Sequence, residues 1–456
     1  MNLLSCAEAI CPSALRPILN RVKTSLIGRR IASGAFWSVL GNGVGKGLTF
    51  LSMVLVARIL GPKTFGEFGL VRSTAMTFAV LSSSGMGWTA TKYIAELLPS
   101  DKERVGRIIG MNYIFTGVSS LLVAVVFWFA APWVCNSVLQ SSHLSGMMRL
   151  GAVLLFLMTF CTLQQGILAG FQDFRRLAFS NIICGMTMVP IYIAGAYYWG
   201  LTGAIIGMVI AAGLGTLVNC ALIWRNTKHH SIRCRFSQVG CELGILSRFS
   251  FPAVLGSIVY GVSFWGCQMV FGAQQDGTAQ LGVFYAAFTV FTALITVPSM
   301  LSPLYVAILS ELLGKGNMKR FRKTVLLSLG TNVSIGSVLA LPFLCIPSQL
   351  MVWCFGESFR DASGTLALLS LTAFLYVIDA VAYQVLTSMG RLWLLMGCSL
   401  GGVVTTLFVT YLTAANWGSS GLALALLAGY CVRLILMFFF VLNRVIWENS
   451  LGFASK

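Results

Sequence analysis

Charged side chains inside apolar segments are the residues of this chain best suited to do chemistry. Lys46, Arg72, Asp379 and Arg433 each fall within a long apolar stretch. A charge at the centre of a membrane-spanning helix costs about 2.5–3.5 kcal/mol on insertion scales, so such residues usually face a bundle interior or a water-filled cavity. Because three of the four are cationic, the sequence predicts an anionic ligand.

Several polar residues share a helix face with these charges. Asn42 lies four residues before Lys46, and Tyr376 and Tyr383 flank Asp379 at helical spacing, with Tyr260 and Gln268 forming a lesser polar face in another apolar stretch. Polar atoms must find partners in hydrocarbon, so these faces are expected to point inward. They either contact a ligand or form hydrogen bonds between helices, and the sequence leaves both open.

The charges also have structural alternatives. Lys46 can extend toward the membrane surface or lose its charge on burial. Asp379 and Arg433 can form a structural ion pair; otherwise Asp379 is suited to bind a coupling proton or sodium ion. Glu67 can form a salt bridge with Arg58 or Arg72 that would fix the hairpin between the first two spans, and the sequence leaves a functional role equally open.

The elements that position these residues are membrane-spanning helices. Of the 456 residues, 57% are hydrophobic and only 10% are charged, whereas an ordinary soluble domain has about 25% charged residues. The apolar runs are near the 20 or so residues that a helix needs to cross a bilayer. The predicted fold class is therefore all-α integral membrane. The net charge of +18 is spread over short loops, so no nucleic-acid partner is expected.

Twelve spans are predicted, with a weak internal repeat. Phe65-Gly66 opens the second span as Leu281-Gly282 opens the eighth, and Thr202-Gly203 opens the sixth as Ser420-Gly421 opens the twelfth. Two six-helix bundles around a central cavity follow from such a repeat. The predicted spans are 35–57, 65–87, 108–131, 150–170, 177–199, 203–223, 250–271, 282–305, 324–346, 366–389, 393–414 and 422–442.

The basic residues predict the orientation and the domains. Most lysines and arginines fall in the tails and loops of one side, while the loops of the other side hold only Lys63 and Arg360. By the positive-inside rule both termini are then cytoplasmic. The expected division is a cytoplasmic tail (1–33), an N-terminal bundle (34–224), a cytoplasmic linker (225–249), a C-terminal bundle (250–443) and a cytoplasmic tail (444–456).

Motifs of enzymes and metal sites are not found in the sequence. It has no P-loop, no G-x-S-x-G and no H-E-x-x-H. Most of the 13 cysteines lie in apolar runs without metal-ligand spacing, which is typical of packing residues. We therefore expect no enzyme activity, no cofactor and no metal.

The sequence resembles the polysaccharide transporter family, the Wzx-type lipid-linked oligosaccharide flippases of the multidrug/oligosaccharidyl-lipid/polysaccharide flippase superfamily. The resemblance lies in Ala57-Arg58-Ile59-Leu60-Gly61-Pro62, Phe65-Gly66-Glu67-Phe68 and Gly170-Phe171-Gln172-Asp173-Phe174-Arg175. It implies a positively charged cavity between two bundles. The implied cargo is a glycan on a polyprenyl diphosphate, moved from the cytoplasmic to the periplasmic leaflet of the bacterial plasma membrane in exchange for protons or sodium.

These observations give a flippase for an O-antigen, capsule or exopolysaccharide repeat unit, working by ion-coupled alternating access. Its expected partners are the lipid-linked oligosaccharide, the coupling ion, membrane lipids and a downstream glycan polymerase. The alternatives are a cation-coupled drug exporter of the same superfamily and a membrane glycan polymerase or ligase. The predicted roles are diphosphate binding by Lys46, Arg72 and Arg433, ion coupling by Asp379, and glycan contact by Asn42, Tyr260, Gln268, Tyr376 and Tyr383.

Overall fold

The computed structural model describes residues 26–83, 85–233, 251–274, 276–414 and 416–447. The predicted tails and the linker lie largely outside these residues, so the predicted domain boundaries stay predictions. Two long helices are each broken at a glycine. Leu26–Ser83 divides at Gly61 (φ +73°) into α1 (26–60) and α2 (62–83), and Phe174–His229 divides at Gly200 (φ +57°) into α6 (174–199) and α7 (201–229). Glycine adopts this left-handed backbone without the steric cost that a Cβ brings.

The remaining described helices follow in chain order. They are α3 (Met86–Leu97), α4 (Lys102–Trp133), α5 (Ser145–Gly170), α8 (Phe251–Gly272), α9 (Gly277–Gly314), α10 (Met318–Cys345), α11 (Pro347–Phe355), α12 (Ser363–Ser388), α13 (Leu392–Thr413) and α14 (Gly418–Trp447).

The number of membrane crossings agrees with the prediction. Nine continuous helical segments of the described chain are long and apolar enough to cross a membrane. Two of these nine are broken at Gly61 and Gly200, which gives eleven crossings, and α8 provides the twelfth. The fold is therefore an all-α membrane fold with twelve long helices, as predicted.

The loops lie at two faces of the molecule. One, the basic face, carries the connections around 98–101, 171–173, 230–233, 315–317 and 389–391; the other, the opposite face, carries those around 61, 134–144, 200, 346–362 and 417. At the basic face Asp101, Asp173 and Asn317 each accept a hydrogen bond from the backbone N–H three residues later. These caps satisfy amide groups at the starts of α4, α6 and α10.

Among the described residues one hydrophobic cluster joins the two bundles, and it includes the aromatic core near the opposite face. The largest cluster there joins Phe65 and Phe68 of α2 to Phe284 of α9 and Phe359. Toward the basic face the described core divides into clusters that each belong to one bundle, such as the one around Ile94 and the one around Phe321. The bundles are thus packed together at one face and separate toward the other.

Helices α2 and α9 cross at the centre of this closed end. A Cβ built on Gly66 would lie 1.8 Å from the carbonyl oxygen of Thr278, and one built on Gly282 would lie 1.8 Å from that of Pro62. Only glycine permits such an approach of two backbones. The crossing therefore sets the distance between the two bundles at the opposite face.

Candidate functional site

A cavity of about 770 Å³ lies between the bundles. It extends from Phe65 and Phe68 near the opposite face to Val39 and Leu301 nearer the basic face, and its walls are α1 and α2 on one side and α8 and α9 on the other. Lys46 and Arg72 are the charged residues among its described lining, which contains no aspartate or glutamate. The cavity is therefore electropositive on the wall formed by the N-terminal bundle.

Lys46 is exposed to the cavity because of the glycine pattern of α1. A Cβ on Gly41 would meet Ala178 at 2.3 Å, so this side of α1 packs tightly against α6. On the other side, Gly43 and Gly47 line the cavity with nothing within 4 Å of a built Cβ. No described side chain forms an ion pair or hydrogen bond with Lys46, so its ammonium is available to an anion.

Arg72 lies deeper and closer to the partner bundle. It is ten residues from the start of α2, about 15 Å along the helix. Tyr285 of α9 lines the same cavity. In the described structure no carboxylate pairs with Arg72. Its positive charge is therefore left for a ligand in the cavity.

A hydrogen-bond network next to Arg72 joins the bundles. The Tyr285 hydroxyl donates to Gln268 Oε1 at 2.8 Å and lies 3.1 Å from the Ser73 hydroxyl. Trp265 Nε1 donates to Thr74 Oγ1 at 3.0 Å. Gln268 is thus both a cavity residue and the acceptor for a tyrosine of α9.

Asp379 and Arg433 form a separate pair inside the C-terminal bundle. Arg433 Nη2 of α14 lies 3.3 Å from Asp379 Oδ2 of α12, and the Asp379 side chain is only 2% exposed. Neither residue is among those lining the cavity. The structural alternative, an ion pair between these two residues, is therefore present in the fold, and Arg433 is not placed beside Lys46 and Arg72.

The buried pair is surrounded by neutral groups. The Tyr260 and Tyr430 hydroxyls are 3.3 Å apart, and the Tyr376 ring packs edge-on against Tyr430 at 5.9 Å. Asp379 Oδ1 and Arg433 Nε are buried without a hydrogen-bond partner in the described structure. Asp379 Oδ1 can accept a hydrogen bond from a water or take up a proton, and the Arg433 Nε–H can donate to a water.

The remaining predicted contact residues are also outside the cavity lining. Asn42 accepts a hydrogen bond from Asn181 Nδ2 at 3.1 Å, which joins α1 to α6. Tyr260, Tyr376 and Tyr383 belong to the C-terminal bundle around the ion pair. Of the nine predicted site residues the structure brings Lys46, Arg72 and Gln268 together in the cavity, and it does not bring the other six there.

Two polar contacts differ from the salt bridges considered from the sequence. Glu67 pairs with His143 Nε2 at 2.9 Å rather than with Arg58 or Arg72, because the loop after α4 folds over the start of α2. Arg58 instead donates to the carbonyl oxygens of Trp353 and Cys354. A histidine in a loop and backbone acceptors in α11 are partners that helix spacing does not indicate.

The part of the cavity wall formed by α9 was absent from the sequence prediction. Thr289, Thr292 and Thr296 of α9 line it at spacings of three and four, beside the rings of Phe264 and Phe288. The threonine spacing was readable in the sequence. It was uninformative alone because threonine in a membrane helix usually bonds to its own backbone.

The chain is similar to proteins of polysaccharide export and to membrane transporters. Residues 31–309 match the family described as polysaccharide biosynthesis protein. The EPS I polysaccharide export inner membrane protein of Ralstonia nicotianae is 22% identical over 408 residues, which cover 87% of this chain and 91% of that protein. The lipid III flippase of Escherichia coli is 23% identical over 247 residues, covering 54% and 58%.

A solved transporter structure shares the fold. An inward-facing multidrug resistance MATE family transporter of the MOP superfamily superposes with a TM-score of 0.74 over 91% of this chain and 99% of that one, at 13% sequence identity. At this identity the likeness concerns the arrangement of the helices. It agrees with two bundles around a central cavity.

Proposed function

The chain belongs to the polysaccharide biosynthesis protein family, and we propose that it is a flippase for a glycan carried on a polyprenyl diphosphate. The observation that carries the proposal is the cavity between the bundles, where Lys46 and Arg72 have no described acidic partner. A diphosphate offers several oxygen acceptors to such cations. The relatives are named as an export protein and a flippase, which confirms the expectation of a transporter rather than an enzyme.

The position of the basic face supports the proposed direction of transport. If the positive-inside rule assigns that face to the cytoplasm, the described state has its bundles separated toward the cytoplasm and closed toward the periplasm. This is the state that receives cargo from the cytoplasmic leaflet of the inner membrane. The cargo is a repeat unit of O-antigen, capsule or exopolysaccharide, and the next step in use of the product is polymerisation.

The charge of the cavity disfavours the drug-exporter alternative. A transporter of cationic drugs needs acidic groups where its ligand binds, but the described lining has Lys46 and Arg72 and no acid. The membrane polymerase or ligase alternative also lacks support, since the segment between α10 and α12 is occupied by α11 and a short 3₁₀ helix rather than by a catalytic domain.

Ion coupling belongs to the Asp379–Arg433 pair. Arg433 already provides the positive charge that balances Asp379, so a sodium ion at this carboxylate would face the guanidinium at close range. A proton neutralises Asp379 without adding that repulsion, and it releases Arg433 from the pair. We therefore favour a proton as the coupling ion, and we assign Arg433 to the coupling pair rather than to the diphosphate.

The test is translocation of a fluorescent polyprenyl-diphosphate oligosaccharide in proteoliposomes. Wild type is expected to move the lipid between leaflets, and Lys46→Gln/Arg72→Gln is expected to lose this activity. Lys315→Gln is the matched control, because Lys315 is exposed and pairs with Glu311 away from the cavity. Full activity of the double variant would place the diphosphate elsewhere and remove the basis of the proposal.

A further inference from the structure

The wall of the cavity formed by α9 has a chemistry different from that of the cationic wall. Thr289, Thr292 and Thr296 line it, and each donates its hydroxyl hydrogen to the carbonyl oxygen four residues earlier, at 2.7, 2.8 and 2.7 Å. The donor of each threonine is therefore used within the helix. Each Oγ1 keeps lone pairs with which it can accept a hydrogen bond.

Aromatic rings lie beside the threonines. Phe288 precedes Thr289 on α9, and its ring centroid is 5.3 Å from that of Phe264 on α8. Both residues line the cavity. The faces of such rings are electron-rich and attract polarised C–H groups. This wall thus offers hydrogen-bond acceptors and ring faces.

The two walls face the cavity at similar depth. Measured along the helix axes from the opposite face, Arg72 and Lys46 lie about 15 and 21 Å in, and Thr289 and Thr292 lie about 18 and 22 Å in. A ligand that places an anionic group on the α1–α2 wall therefore has its neighbouring atoms beside α8 and α9. In a glycan-diphosphate lipid those neighbouring atoms are the first sugars.

We propose that Thr289, Thr292 and Thr296, with Phe264 and Phe288, form a sugar subsite that selects uncharged, hydroxyl-rich sugars next to the diphosphate; this inference rests on the proposed function. Sugar hydroxyls donate to the threonine oxygens, and sugar C–H faces lie on the rings. A carboxylate there meets lone pairs and electron-rich ring faces, and among these five residues it gains a donor only by taking a threonine hydroxyl hydrogen from an α9 carbonyl. Acidic sugars are therefore disfavoured at this subsite.

Binding to the detergent-solubilised full-length protein tests the subsite with three synthetic lipids. They are polyprenyl diphosphate without sugar, the same lipid bearing a neutral hexose disaccharide, and the same lipid with a uronic acid in place of the first hexose. Wild type is expected to bind the neutral disaccharide lipid about tenfold more tightly than the other two, which corresponds to one or two net hydrogen bonds.

Variants test whether the threonines cause this preference for the neutral disaccharide lipid. Thr289→Val/Thr292→Val/Thr296→Val keeps the side-chain shape and is expected to bind all three lipids with the affinity of wild type for the sugar-free lipid. Thr405→Val is the matched control: Thr405 makes the same backbone bond, to Gly401 at 2.9 Å, outside the cavity lining. It is expected to bind like wild type.

The possible outcomes distinguish failure of the subsite from failure of the proposed function. Equal binding of the three lipids by wild type, or an unchanged preference in the triple variant, overturns the subsite and leaves the diphosphate-lipid flippase intact. Binding of none of the lipids by wild type overturns both. Loss of binding to the sugar-free lipid in the triple variant shows a general defect of the cavity and also overturns the subsite.

Discussion

The carboxylate of Asp379 is almost fully buried and has one ionic partner, Arg433. Removing one member of a buried ion pair costs about 3–5 kcal/mol because the remaining charge is left without compensation. The pair is therefore sensitive to any change at either residue. A proton that neutralised Asp379 would act on the same balance, which is the basis of the ion coupling proposed for this pair.

Asp379→Asn is predicted to abolish the response of transport to a pH gradient. The asparagine cannot exchange a proton, so flipping in proteoliposomes should be the same with and without the gradient, and a sodium gradient should have no effect on wild type. Glu311→Gln, at an exposed acid of α9, should keep the wild-type response.

A second variant distinguishes the effect of Asp379 on thermal stability from its effect on proton coupling. Asp379→Asn/Arg433→Gln removes both charges, so it should recover most of the thermal stability that Asp379→Asn loses and still show no pH response. Sodium-driven transport by wild type, or a pH response in the double variant, contradicts proton coupling at this pair.

At the level of residues, the charge of a side chain and the helix face on which it lies could be predicted from the sequence. The neighbouring helix that this face contacts could not. The spacing of Asn42 and Lys46 predicts that they share one face of α1, but Asn42 bonds to Asn181 of α6 whereas Lys46 lines the cavity. Arg433 had the charge expected of a diphosphate ligand, but α14 packs on α12 and presents it to Asp379. Such pairings depend on tertiary packing, which the helical periodicity of the sequence does not determine.

Helix α11 has a role at the closed end that its length does not suggest. Arg58, at the end of α1, donates through Nε to the Cys354 carbonyl at 2.6 Å and also contacts the Trp353 carbonyl. These carbonyls belong to the last turn of α11, where backbone acceptors are unpaired and the helix dipole is negative. Arg58 thus joins the N-terminal bundle to an element of the C-terminal half.

Arg58→Gln is predicted to weaken closure at the opposite face. Loss of a charge-assisted hydrogen bond to the end of α11 should shift the population toward states in which the bundles separate there. Distances between spin labels placed on α1 and α11 near this face should lengthen or broaden. Arg360→Gln is the control, because Arg360 pairs with Glu357 three residues away. An unchanged distance distribution in Arg58→Gln contradicts this role.

At the level of elements, the apolar runs predicted the long helices well. The length of each helix follows from the hydropathy of its own segment, and the breaks at Gly61 and Gly200 follow from the glycines there. The short helices α3 and α11 were not predicted, because neither has a run of membrane-spanning length. Pro347 begins α11, where its missing N–H costs nothing, a signal that was available in the sequence.

The whole molecule closes through the crossing of α2 and α9. Gly66→Ala is predicted to destabilise the described state by roughly 1–3 kcal/mol, because the added methyl overlaps the Thr278 carbonyl. Gly330→Ala is the matched control, since a Cβ there has nothing within 4 Å. Thermal unfolding of the purified proteins in detergent should show a lower midpoint for Gly66→Ala only. Equal midpoints would mean that the crossing does not limit the approach of the bundles.

The same crossing brings corresponding positions of the two halves into contact. Gly66 and Gly282 open corresponding spans, and each lies against the other's helix. A surface that meets its own copy in this way is the geometry of an isologous dimer interface. The two halves of one chain therefore meet at the closed end as a pseudo-symmetric pair. Away from this contact the symmetry is lost, since one wall of the cavity carries the cations and the other the threonines.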